Sequence, residues 1–399
     1  MRSPRSCLVA LTLAGSVSAQ TVWQMGTGPF GTDLVATIAA AAPGDIIMLN
    51  GLTFPAFTLA KGLTLIGPGT VQPGATGPIT TIAIPTGQVA HFVDTEFVPV
   101  ATWVAHRVEV TGTATFEGCR FGVGVPHDLV SAGNVLLRDC TVEGSPSYAM
   151  QSAAGGMRVA SGICSLVHCN LTGGDAVLNP LTPASSVGST PAVTVDGGLL
   201  MLATCTVRGG HGVGASLFGV LRAGSPAVLV FGEARITDCT LTAGDSPPPL
   251  PGLAALMGNP TTEYARSVLQ GGAGQPAGGP TWGWVAAVPQ LVGMDIAPGF
   301  VLGQSTTLSA VAGGSQLLGI FVGFDATPTS HPAVIGPIVG SLAQLVPCAV
   351  VVPQPGGVVQ CALFVPNVSP LLGLGVYAQA FELDGAVVRG SAMVGGAVH

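Results

Sequence analysis

The chain reads as an all-β protein, a solenoid of short stacked strands followed by a small antiparallel β-sandwich. Three observations lead there. Five cysteines recur in one local pattern: Cys119 in GCRFG, Cys140 in DCTVEG, Cys169 in HCNLTG, Cys205 in TCTVRG and Cys239 in DCTLTAG. Of the 399 residues, 48% are hydrophobic and only 8% charged, so there is much apolar surface to bury and few charges to solvate. Beyond Trp282 the repeat gives way to longer strands of alternating or solid apolar character.

In chain order, residues 1–19 carry Arg2 and Arg5, an apolar run from Cys7 to Val17 and small residues up to Ala19, the pattern of a secretory signal peptide. The run is too short to span a bilayer, and no later segment offers eighteen apolar residues free of Gly, Pro and charge. The mature chain is therefore expected to start at Gln20, without a transmembrane segment, and to be secreted or held at the cell surface. A net charge of -7 and a single lysine, Lys61, leave no basic stripe for phosphates, which argues against a nucleic-acid partner.

Residues 20–245 form the solenoid. In each repeat the cysteine and the apolar residue two places on face one side of a strand, and their neighbours face the other. Successive cysteines lie 21, 29, 36 and 34 residues apart, a period that signals stacked coils. Stretches such as NVLLR (134–138) and AVLVF (227–231) are too short for helical repeats. Stacking turns equivalent positions into ladders. The five cysteines then line an interior corner as free thiols, because neighbouring parallel rungs hold their Cβ vectors side by side and not in disulfide geometry. The Pro/Gly-rich stretches 179–191 and 209–226 read as loops leaving the solenoid, 246–281 as a linker or a cap over the last coil, and 261–269 as a short helix. Residues 282–399 form the sandwich. There Cys348 and Cys361 lie symmetrically about the turn PQPG, either as a cross-strand disulfide or as two buried thiols; the state of Cys164 stays open.

The repeat, together with IAAAAPGDIIMLNGLTFPAFTLAKGLTLIGPG at 38–69, resembles the right-handed parallel β-helix proteins of pectin-lyase-like fold, over roughly residues 33–245. The resemblance implies three strands per coil and a short helix capping the first coil. It says little about chemistry, since the fold hosts unrelated activities. The last part, LGLGVYAQAFELDGAVVRGSAM, is similar to C-terminal domains of exported planctomycete-type bacterial proteins.

Polar residues flanking the cysteines supply the candidate site: Arg120, Asp139, Glu143, His168, Asn170, Arg208 and Asp238. They read as solvated positions of a structural or adhesive module, or as a groove for an acidic polysaccharide, where Asp139, His168, Arg208 and His211 would be the catalytic candidates and Arg120, Glu143 and Asn170 ligand contacts. Asp139 and Asp238 sit several coils apart, too far to act as a glycosidase pair. His211 lies in GGHGVG, and Gly-His-Gly also occurs in polygalacturonase-like relatives of the fold, but the paired aspartates of that family are missing and the lone lysine is far upstream. Asp175 and Asp196, on either side of the 179–191 loop, are the nearest approach to an acidic cluster. No histidine or cysteine spacing marks a metal site, and no cofactor fingerprint is present. Trp282 and Trp284, at i and i+2, read as a platform for a sugar ring or as an anchor between the domains. The expected function is an exported, non-catalytic structural, adhesive or surface-binding protein. The alternatives are a polysaccharide lyase or hydrolase and a glycan-binding module, and a polysaccharide or cell-envelope component is the expected partner.

Overall fold

The computed structural model describes residues 20–399 apart from 29–30, 73–78, 99–105, 123–126, 145–154, 178–187, 216–219, 290, 314–316, 326–327, 330, 332–333, 341–343 and 355–356. The signal-peptide segment 1–19 lies outside the described residues.

Each solenoid coil contributes one strand to each of three parallel sheets. In one coil these are Val193–Val195, Leu199–Ala203 and Thr206–Arg208. Residues pair with their equivalents in the next coil: Val195 with Val230 in the first sheet, Leu202 with Ile236 in the second, Val207 with Leu241 in the third. Like side chains therefore stack inside at the strand separation of about 4.8 Å. Phe92 on Phe116 and Phe97 on Phe121 stack at 4.9 and 5.0 Å between ring centroids in the same interior. The helix Leu34–Ala40, capped by Asp33 accepting from the Ala36 N–H at 2.9 Å, buries Leu34 and Ile38 over the first coil.

Two corners fix the coil. Between first and second sheets stands a glycine ladder, Gly112, Gly133, Gly162 and Gly198, where a Cβ on Gly162 would collide with the Gly133 carbonyl oxygen. Between second and third sheets, Asp94, Gly118, Asp139, His168, Thr204, Asp238 and Arg266 all turn left-handed, with φ between 46° and 62°. The residue after each points inward. At that turn the backbone N–H needs a partner, and the inward side chain of the next coil supplies it. Cys169 N–H donates to Cys205 Sγ (3.4 Å), Cys205 N–H to Cys239 Sγ (3.3 Å) and Cys239 N–H to Ser267 Oγ (3.1 Å). Each of these side chains also donates to the carbonyl two residues earlier, as Cys205 Sγ does to Ala203 at 3.2 Å. All five cysteines are buried free thiols, as is Cys164 on the second sheet. Burial pushes the Cys140 and Cys164 thiols well up, so they stay protonated.

The solenoid runs further than the cysteines do. The stretch expected as a linker or cap continues the coils: Leu256–Gly258 pairs with Val228–Val230, and Thr281–Gly283 pairs with Leu256–Gly258. The helix expected at 261–269 is instead the strands Thr262–Ala265 and Val268–Gln270, in register with Ala234–Thr237 and Thr240–Thr242. Ser267 takes the cysteine place there, and Thr95 takes it ahead of Cys119. The Ser267 hydroxyl makes the same pair of contacts as the thiol, and the Thr95 hydroxyl donates to the Val93 carbonyl at 3.3 Å, so the rung persists while the cysteine pattern stops. Length varies after the third sheet, where 209–226 leaves as the antiparallel hairpin Val213–Ala215 with Val220–Arg222. Most of the 179–191 loop lies outside the described residues.

Among the described residues the C-terminal domain has two main sheets, antiparallel except where Val334–Ile335 pairs parallel with Val387–Gly390, and a small two-stranded sheet of Pro328–Thr329 and Ile338–Val339. One holds Gly293–Ala297, Ser305–Val311 and Val358–Phe364; the other centres on Leu317–Gly323, Val346–Val351 and Gly375–Asp384. Cys348 and Cys361 form a disulfide with Cα atoms 6.2 Å apart, joining one sheet to the other. This domain packs on the outer face of the second solenoid sheet. Val167, Leu199, Met201 and Ala203 share one core with Met294, Leu308, Ile320 and Ala378, and Leu136 joins Tyr377 and Met393. Strands such as Leu199–Ala203 are buried on both faces, which is why they read as unbroken apolar runs. Among the described residues no helix is long and apolar enough to cross a membrane.

Candidate functional site

Of the three sheets, the third keeps an open outer face that aligns sequence-chosen residues. Its strands alternate, apolar inward and polar outward. One outward row runs Arg120, Thr141, Asn170, Thr206, Thr240, and a second runs Glu143, Thr172, Arg208, Thr242. Neighbours within a row are about 4.8 Å apart and the rows two residues apart along each strand. Arg120, Asn170, Thr206, Arg208 and Thr240 are exposed, and the others half-buried. Arg120 pairs with Glu96 of the preceding coil at 3.2 Å. Four of the predicted positions, Arg120, Glu143, Asn170 and Arg208, thus lie on one surface.

Asp139 and His168 belong elsewhere. Both stand on the left-handed corner, whose backbone turns their side chains toward the C-terminal domain. His168 Nε2 lies 2.7 Å from Asp295 of that domain, and Nδ1 lies 3.4 Å from Asp139. The Asp139 and Asp295 carboxylates raise His168 to about 10, so it is an imidazolium at neutral pH, and His168 in turn holds the Asp295 carboxyl below its usual range. Asp139 also lies 3.4 Å from Arg138 Nε. Arg138, 2% exposed, pairs with buried Glu117, which His399 approaches to 3.7 Å. Farther along the corner, Arg266 grips Asp238 with two bonds of 2.7 and 2.8 Å and donates to the Leu291 carbonyl at 2.7 Å. These groups join two domains.

His211 sits where the third sheet leaves for its hairpin. Asp245 N–H meets Nδ1 at 3.0 Å, Arg208 Nη1 lies 3.2 Å from Nε2, and the His211 N–H donates to Asp175 at 2.7 Å. The Asp245 N–H thus holds the ring at Nδ1, with the Arg208 guanidinium beside Nε2. Asp196 instead pairs with Arg158, so Asp175 and Asp196 do not meet. Among the described residues no group of three or more His, Cys, Asp or Glu is arranged to hold a metal ion.

Trp282 and Trp284 are 67% and 78% exposed, which overturns the reading of them as an interdomain anchor. The strand ends at Gly283, where φ is 89°, so the pair does not share one strand face. Trp282 extends the outward row Leu229, Met257 of the first sheet.

Sequence reasoning passed over Glu117, Arg138, Arg266 and Asp295. The signal for the first two was present: they stand two places before Cys119 and Cys140, where later repeats carry Val167, Ala203 and Thr237, so a charge interrupts an otherwise uncharged outward row. Arg266 was hidden because its rung carries serine in place of cysteine. No family model, curated protein or solved structure matches this chain.

Proposed function

We propose that the protein is exported and acts outside the cell as a non-catalytic solenoid that holds an extended polysaccharide or cell-envelope polymer along the outer face of its third sheet. The single observation behind this reading is that open face, whose rows of Thr, Asn and Arg repeat once per coil. A periodic surface offers a repeating polymer the same hydrogen bonds at each step, and many weak contacts then add along its length. Binding is favoured over turnover because the other candidate groups already have partners. His168 links Asp139 to Asp295, and His211 accepts the Asp245 N–H at Nδ1.

Glycan-array binding and co-sedimentation with insoluble polysaccharides test the reading. A chain carrying Asn170→Ala, Thr206→Ala and Arg208→Ala is expected to bind at least about tenfold more weakly, the loss of one or two net hydrogen bonds. Depolymerisation of polygalacturonate or alginate, abolished by Arg208→Ala or His211→Ala, would replace binding by lyase or hydrolase action.

A further inference from the structure

The two ends of the solenoid are finished differently. At the first coil the helix Leu34–Ala40 lies over the core. At the last coil Val268–Gln270, Thr281–Gly283 and Ala286–Ala287 each pair, among the described strands, with the preceding coil alone. Tyr264, Leu269 and Val285 pack against the core there and are only partly buried. Val268, Trp282 and Trp284 are 62%, 67% and 78% exposed. Natural sheets defend such edges with charge, and repeat arrays with a polar terminal repeat. This chain does neither: between Arg266 and Asp295 the sequence holds no Asp, Glu, Lys or Arg.

We propose that this end of the solenoid is a self-association surface on which a second copy of the chain docks end to end. The choice of occupant rests on charge. Each copy carries a net charge of -7, which repels another copy approaching at random, but the terminal coil is neutral and lets two molecules meet without like charges in contact. Along 267–294 a basic partner finds no carboxylate and an acidic one no cation, and Glu263 and Arg266 just before it are already paired with Arg235 and Asp238. Strand edges facing their own kind exchange backbone hydrogen bonds, and the exposed tryptophans bury against the partner's rim. The helix over the other end covers its core, so the contact joins like ends and closes at two copies.

Sedimentation velocity of the full exported chain over a dilution series tests this. The expected result is a species of twice the chain mass that dissociates on dilution. Association is expected to weaken at least tenfold in Trp282→Ser/Trp284→Ser, and likewise in Ala286→Lys, which places an ammonium on the exposed last strand of the second sheet; circular dichroism checks that each variant is folded. Polymer binding through Asn170, Thr206 and Arg208 is a separate readout, so either proposal can fail alone. A wild-type monomer at every concentration, an open series of larger species, or a dimer indifferent to the folded variants would overturn the proposal. So would loss of glycan binding in the tryptophan variant with its mass unchanged.

Discussion

Cys205 shows what the repeated cysteine does. Its Sγ donates to the Ala203 carbonyl at 3.2 Å and accepts the Cys169 N–H at 3.4 Å, inside a corner closed to water. Cys205→Val keeps the volume but leaves the Cys169 N–H buried without an acceptor, an expected loss of about 1–3 kcal/mol in chemical denaturation. Cys205→Ser keeps both contacts and is expected to cost less, since Ser267 already fills the equivalent place two coils on. The residue type was legible in the sequence as a ladder of free thiols. Its reason was not, because spacing does not reveal which backbone groups a left-handed turn leaves unpaired, nor that Thr95 and Ser267 extend the same ladder.

Among the elements, the second sheet carries the strongest lesson. Its strands were recognisable as short and apolar, and the repeat gave their register. That both faces are buried follows only from the C-terminal domain packed upon them, so the polar corner above Cys140 and Cys169 looked from the sequence like an open groove. The third sheet, free of that cover, kept the outward pattern its alternation announced. His168 reports on the covered corner. Its value is raised from an ordinary 6.5 to about 10, so its contribution is complete below about 6.5 and fades as pH rises through about 10. Wild-type melting temperature is therefore expected to fall between neutral pH and about 10 more steeply than that of His168→Gln. The variant should already be less stable at neutral pH, where Asp295 loses the imidazolium it pairs with and Asp139 keeps only Arg138; differential scanning fluorimetry across pH reads both effects.

At the scale of the whole molecule, solenoid and C-terminal domain share a continuous core from Val167 and Met201 to Leu308 and Ala378. A shared core makes their unfolding interdependent, so calorimetry is expected to show one transition where a flexible linker would give two. A chain ending at Ala287 would bare Leu136, Val167, Leu199 and Met201 and is expected to aggregate, which light scattering detects. The hairpin Val213–Ala215 with Val220–Arg222 springs from the same corner at which the other irregular connections return from third sheet to first. The largest described departure from the coil, that hairpin, therefore rises along one flank of the open face. Such a scaffold can be re-targeted by trimming or lengthening it, with no rung asked to shift.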